Sequence, residues 1–241
     1  MTADMRKYHP EETRERHIRT GRYLKDIIFG ANDGIITTFA VVAATVGGGL
    51  SPATILIVGF ANLFADGFSM ATGNYLGTKS EIDFYKKEEA EEYREVKEIP
   101  EKERQEIRDI LSAKGYAGAD LEQMTTLICS NEKFWVDFMM REELNLNNPE
   151  GASPMINGLI TFAAFVGAGV IPLLPYLALG ADASFRSAVV FTAAALFAVG
   201  ALRHFFSRAS WFVLGLEMLA VGGTAAGIAY GIGFAIKTMV G

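Results

Sequence analysis

Between Phe60 and Leu76 an otherwise apolar stretch carries an amide, a carboxylate and a thioether at four-residue intervals: Asn62, Asp66 and Met70. On a helix these are i, i+4 and i+8, so all three project from one face. A charged group inside an apolar run of membrane length is costly, and it normally faces a bundle interior or a water-filled path. The plainer reading is that Asn62 and Asp66 only hydrogen-bond neighbouring helices. Ala61, Ala65, Gly67, Ser69, Ala71 and Gly73 leave room beside that face for close helix contacts. Two further acids fall inside apolar runs, Asp33 and Glu217. Glu217 is expected to be buried, serving either a helix–helix hydrogen bond or a proton relay.

A different chemistry is concentrated between residues 76 and 150, where 19 Asp/Glu stand against 11 Lys/Arg. Such a run is usually a solvated helix face. The spacing argues for more. Glu92 and Glu95 are i, i+3, and Glu103 and Glu106 repeat that spacing beyond Pro100, so each pair lies on one side of its helix. A chain folding back at Pro100 can bring the pairs face to face. Four carboxylates gathered without matching cations repel, which implies a bound cation or shifted pKa values. Met139, Met140 and Glu143 follow on one more helix, where methionine serves either as core filler or as a soft ligand. Oxygen ligands alone suit Mg, Ca or Mn, and an added thioether favours softer transition metals. No histidine lies in this segment, and His9, His17 and His204 are near span ends, which argues against an imidazole zinc site.

The elements that must position these groups are helices. A span is expected over roughly Asp26–Val46, ending at Gly47-Gly48-Gly49. Ser51 is a candidate N-cap with Pro52 in the first turn, and no breaker follows before Pro100. The second helix should therefore run on to about Glu98, on the order of 65–70 Å and twice a hydrocarbon core. Short helices should follow from Glu101 to about Lys114, and then one or two more capped by Asp120 or Asn131. Spans are expected again at roughly Met155–Leu179, interrupted by Pro172 and Pro175, at Phe185–Leu202, and at Trp211–Ile236. Gly223 and Gly227 form a GxxxG pattern in the last of these, suited to close helix packing.

Bulk properties agree with segregation into apolar spans and a charged part: 50% hydrophobic and 21% charged residues in a 241-residue chain, with mean hydropathy +0.22. The net charge of −6 averages over an acid-rich segment. Cys129 is the single cysteine, which excludes an intramolecular disulfide or a cysteine-based zinc site. No basic patch with interleaved aromatics suggests nucleic acid. Residues 1–25 hold seven Lys/Arg, residues 76–150 hold eleven, and Arg203 and Arg208 add two; the opposite side has only Arg186 and Lys237. The positive-inside rule then predicts a cytosolic N-terminus and insert, with the C-terminus outside.

These residues resemble the vacuolar iron transporter family, five-span divalent-metal/proton antiporters of eukaryotic vacuoles with bacterial relatives. The resemblance rests on Gly30-Ala31-Asn32-Asp33-Gly34, on Ser69-Met70-Ala71 with Gly73, Tyr75 and Leu76, and on the Glu/Met insert, and it extends over nearly all the chain after residue 25. It implies an all-α, five-span bundle with a cytosolic helical metal-binding insert between spans two and three, on a homodimer. Four regions follow: a basic cytosolic segment (1–25), spans one and two (26–78), the acidic insert (79–150) and spans three to five (151–241). The resemblance makes Glu92, Glu95, Glu103, Glu106, Met139, Met140 and Glu143 the insert's metal ligands, and Asp33 and Met70 the translocation-path residues. Two turns before the methionine the family often has glutamate; this chain has Asn62, and Asp66 is the nearest acid on that face.

The expected activity is export of a divalent metal, Fe²⁺ first and Mn²⁺, Co²⁺ or Zn²⁺ behind it, in exchange for protons. No prosthetic group and no enzymatic reaction are expected. Ferroxidase sites need Glu-x-x-His pairs, which the insert lacks. The setting is a lipid bilayer, a bacterial cytoplasmic membrane ahead of a vacuole. The competing reading is a membrane-anchored iron sensor or store that binds metal without moving it.

Overall fold

The structure is a computed structural model that describes residues 10–149, 151–178 and 181–240, with side chains outside 10–22 and 181–184. Residues 1–9 of the basic lead-in, Leu179 at the expected end of the third span, and Glu150 lie outside the described residues. The chain is all-α. In order come α1 (Pro10–Gly47), α2 (Pro52–Glu98), α3 (Pro100–Ala113), α4 (Gly118–Cys129), α5 (Glu132–Glu142), α6 (Pro154–Gly169), α7 (Leu174–Ala178), α8 (Ala181–Leu202) and α9 (Trp211–Val240). Short 3₁₀ turns at Ile171–Leu173 and Arg203–Phe206 precede α7 and follow α8. Among the described residues, five helical segments are long and apolar enough to cross a membrane: Tyr23–Gly47, Pro52–Glu98, Pro154–Ala178, Phe185–Phe206 and Trp211–Val240.

The chain divides into two compact units, residues 1–76 with 153–241, and residues 77–152. In the first, α1 packs against α6, α8 and α9. Glycine permits that approach. A Cβ on Gly34 would run into the backbone carbonyl of Phe165, and one on Gly30 would lie 2.7 Å from the Thr161 carbonyl oxygen. These two contacts, one helical turn apart, fix how α1 is rotated on α6. Phe39, Val42, Ile55, Leu63, Phe165 and Leu173 form the apolar centre. Outward-facing Ile57, Phe68, Leu159, Ile228 and Ile236 present the apolar surface that lipid would cover.

The start of α2 is set by Ser51, whose Oγ accepts from the Thr54 amide at 3.2 Å. Pro172 breaks the third span, which is helical only to Gly169 before the 3₁₀ turn. Gly223 and Gly227 form no close packing contact among the described residues: a Cβ added at either would meet nothing within 4 Å. The close contacts of α9 are made instead at Gly215 and Gly222 against α8, and at Gly233, whose absent Cβ leaves space for the Ala44 carbonyl of α1.

In the second unit the C-terminal part of α2 and helices α3–α5 enclose Tyr85, Val96, Ile107, Leu111, Ile128, Trp135, Val136, Met139 and Met140. Pro100 occupies the first turn of α3, where its missing N–H is unneeded. Asn131 caps α5, its side chain accepting from the Phe134 amide at 3.0 Å. Asp120 is not a cap. It sits inside the first turn of α4, which begins at Gly118 in a left-handed conformation (φ +57°) that glycine adopts without strain. Ion pairs tie the helices together, Lys97 to Glu132 at 3.2 Å and Arg108 to Glu122 at 3.1 Å. The Arg104 guanidinium lies 5.3 Å over the Trp135 ring.

Candidate functional site

In the second unit, the hydrophobic face of α3 buries a carboxylate with it. Ile107 and Leu111 sit one and two turns beyond Glu103, so packing that face takes Glu103 fully out of solvent. Glu92, on α2, is 5% exposed. Neither Glu103 oxygen has a hydrogen-bond partner among the described residues, nor does Oε2 of Glu92. Buried carboxylates without donors are costly as anions, and that cost is relieved by a proton or by a cation.

The structure places the expected acids in one electrostatic neighbourhood. Burial first, then the nearby charges of Glu143, Glu103, Glu95 and Glu106, push Glu92 from the ordinary 4.5 up to about 7. Burial also leads for Glu103, reinforced by Glu106 and Glu95 and opposed by Lys102, and it too reaches about 7. Glu143, more open to solvent, is raised by the same causes. The fold therefore does bring the two i, i+3 pairs together across the turn at Ile99, with Glu143, the C-cap of α5, as the fifth member. Among the described residues no three Asp, Glu, His or Cys side chains are already closed around a metal position. Mutual repulsion opposes such closure, and one resident cation moderates it. Lys102 Nζ lies 3.0 Å from Glu106 and 3.9 Å from Glu103, and the hydrogen bond to Glu106 raises the lysine's own pKa.

Met139 and Met140 are fully buried in the apolar cluster with Val96 and Ile107, as core residues would be. Met139 lies one turn before Glu143, so a modest side-chain rearrangement could turn a flexible thioether towards the acids.

These shifts have a consequence for pH. Glu92 and Glu103 bind protons more tightly folded than unfolded, so the stability they contribute is full below about 4.5 and is lost as pH rises through about 7. In chelator-treated protein the unfolding midpoint followed by Trp135 fluorescence should fall between pH 5 and pH 8. A divalent cation should restore it, with a larger effect at pH 8, because metal binding requires the deprotonated acids. An unfolding midpoint independent of pH and metal would remove these two acids from any cation site.

In the first unit, Asn62 donates from Nδ2 to Asp66 Oδ2 at 2.7 Å, so the two groups on that helix face bond each other within α2. Asp33 is half-buried on α1 and within electrostatic reach of Asp66. Met70 is half-buried against the apolar centre. Glu217 corrects the sequence expectation: its side chain is 55% exposed, not buried, and pairs with Arg203 at 3.3 Å. It lies under two turns from the start of α9 at Trp211, shallow enough for a charge to reach the interface.

A polar clamp escaped sequence reasoning. Asn74 Nδ2 donates to Asp26 Oδ1 at 3.0 Å, to Thr161 Oγ1 at 2.7 Å and to the Asn157 carbonyl at 3.3 Å, joining α2 to α1 and α6. The available signal was a carboxylate and an amide at the edges of two spans. Lys102 was likewise legible as an i, i+4 partner of Glu106.

The VIT family pattern matches residues 24–234. The chain is 33% identical over 230 residues to "Vacuolar iron transporter 2" of Oryza sativa subsp. japonica, covering 95% of this chain and 94% of that protein. It is 36% identical over 239 residues to "Vacuolar iron transporter" of Toxoplasma gondii, covering 95% and 79%. "Vacuolar iron transporter 1" of Arabidopsis thaliana is 34% identical over 218 residues, covering 90% and 87%. With five membrane-length helices and a match across nearly its whole length, the chain belongs to the VIT family and is an integral-membrane metal-ion transporter.

Proposed function

We propose that the protein exports a divalent metal, Fe²⁺ ahead of Mn²⁺, Co²⁺ and Zn²⁺, from the cytosol in exchange for protons. The observation that carries this reading is the group of five neighbouring carboxylates in the second unit, of which Glu92, Glu103 and Glu143 are raised by burial and by the charges around them, and Glu92 and Glu103 are buried with carboxylate oxygens that lack hydrogen-bond donors. Glu92, Glu95, Glu103, Glu106 and Glu143 supply oxygen ligands that collect the ion, and Met139 and Met140 supply thioethers that bias the set towards Fe²⁺ over Mg²⁺ or Ca²⁺. Asp33 and Met70, with Asn62 and Asp66 beside them, carry the ion across the membrane. Protons arriving from the far side occupy carboxylates and release it, because metal needs them deprotonated. Glu217 acts at most at the margin of the proton path, its charge held by Arg203.

In this reading residues 1–25 and the metal-binding domain of residues 79–150 are cytosolic. Residues 26–78 and 151–241 form the membrane part, the C-terminus is outside, and two copies associate as a homodimer. The charge bias sets this orientation, and in a bacterial cytoplasmic membrane, favoured over a vacuole, it makes the protein an exporter that relieves metal overload.

The test is flux in proteoliposomes with an acidic lumen. External Fe²⁺ should enter only while the proton gradient stands, with matching alkalinisation of the lumen, and Mn²⁺ should compete. Metal binding without uptake under any gradient would replace transport by the sensor or storage role.

A further inference from the structure

A recess in the first unit is lined by none of the residues proposed to hold or carry the metal, with Glu217 on its wall. It is a cleft of about 610 Å³ between the start of the first span and the turn joining α8 to α9, within the roughly 300–1,000 Å³ usual for sites that hold small molecules. Its lining is divided. Lys25, Arg203 and Ser207 form a polar rim, while Phe29, Phe206 and Val221 form an apolar floor.

The rim has unused capacity for an anion. Glu217 holds Arg203 through Nη1 alone, at 3.3 Å, so the other guanidinium N–H groups remain available. Lys25 makes no ion pair among the described residues. The Ser207 Oγ accepts from the Ala209 amide at 3.1 Å, which leaves its hydroxyl proton to be donated. Two cations against one carboxylate make the rim net positive.

The depth of the cleft selects among anions. It lies where spans begin at Tyr23 and Trp211 and end at Phe206, that is, at one membrane edge. Exposed Phe205, Trp211 and Phe212 flank it, as aromatic side chains do at headgroup level. A small aqueous anion would leave the Phe29–Val221 floor uncovered. An amphiphile covers both parts, and basic recesses between spans suit anionic headgroups.

We propose that this cleft binds one anionic phospholipid of the adjoining leaflet. Lys25, Arg203 and the Ser207 hydroxyl hold its phosphate, and an acyl chain lies along Phe29 and Val221. Neither Asp33 nor Met70 lines the cleft, and its test does not depend on transport.

The full-length protein in neutral detergent would be titrated with phosphatidylglycerol or phosphatidylcholine and read by native mass spectrometry. One phosphatidylglycerol per chain should be retained, with phosphatidylcholine weaker by about tenfold or more. The double variant Lys25→Ala/Arg203→Ala should lose a similar factor. Because it also strips Glu217 of its partner, Val221→Trp is the second probe: it fills the floor, leaves every charge in place, and should abolish retention without lowering the unfolding midpoint. Arg208→Ala, outside the cleft, should change nothing. Equal retention of the two lipids, or undiminished phosphatidylglycerol binding in both cleft variants, would overturn the proposal. So would displacement of the lipid by equimolar glycerol phosphate, which would mark a soluble-anion site.

Discussion

Asp33→Ala is expected to abolish metal flux while leaving metal binding by the second unit intact. The physical basis is placement. Gly30 and Gly34 lock α1 onto the α6 backbone, and Asp33, one residue from Gly34, is turned about 100° around the helix from that contact. It is therefore held half-buried and away from α6, close enough to Asp66 for the two charges to interact. A carboxylate inside an apolar span carries a standing cost that a purely structural residue would avoid. In the proposed path Asp33 is a direct ligand, and its loss should cost more than the 10–100-fold typical of second-sphere partners, so the initial rate in proteoliposomes should drop by at least about a hundredfold. Asp33→Asn, which keeps shape and hydrogen bonding, should be nearly as inactive, separating charge from packing. Wild-type flux in either variant would move the path elsewhere in the first unit.

The helices were largely legible because their boundaries are local. Pro52 and Pro100 bracket the 47-residue α2, Asn131 caps α5, and Pro172 breaks the third span, each by a backbone rule that needs no tertiary information. The gathering of Glu92, Glu95, Glu103 and Glu106 was legible for a similar reason, since two i, i+3 pairs flank a single turn. What escaped depends on register between distant segments. The Asn74 clamp joins residues 48 and 87 positions apart in sequence, and no periodicity within one helix encodes it. Glu217 was misread because hydropathy averages over a span and hides how near an acid lies to its end. The GxxxG pair makes no close contact within the described chain because α9 has six glycines from Gly215 to Gly233, and only the rotation of the helix decides which of them face α1 and α8.

The second large effect should come from Glu92→Gln/Glu103→Gln, and its two arms point in opposite directions. Both side chains are buried, both are pushed up to about 7, and both are surrounded by like charge. Replacing them by neutral isosteres removes that repulsion, so at pH 8 the metal-free double variant should unfold at a higher temperature than wild type. At pH 5, where the wild-type acids are protonated, the gap should close. Metal affinity of the full-length protein, measured by titration calorimetry with Mn²⁺ as an air-stable probe, should fall by roughly a hundredfold or more for loss of two oxygen ligands. Flux should be weakened and not abolished, most visibly at low external metal, because in the proposed function these residues collect the ion and Asp33 moves it. A variant that gains stability at pH 8 and keeps full metal affinity would show that Glu92 and Glu103 are strained by burial for a reason other than cation binding. A variant as inactive as Asp33→Ala would instead make the acidic helices an obligatory step of translocation.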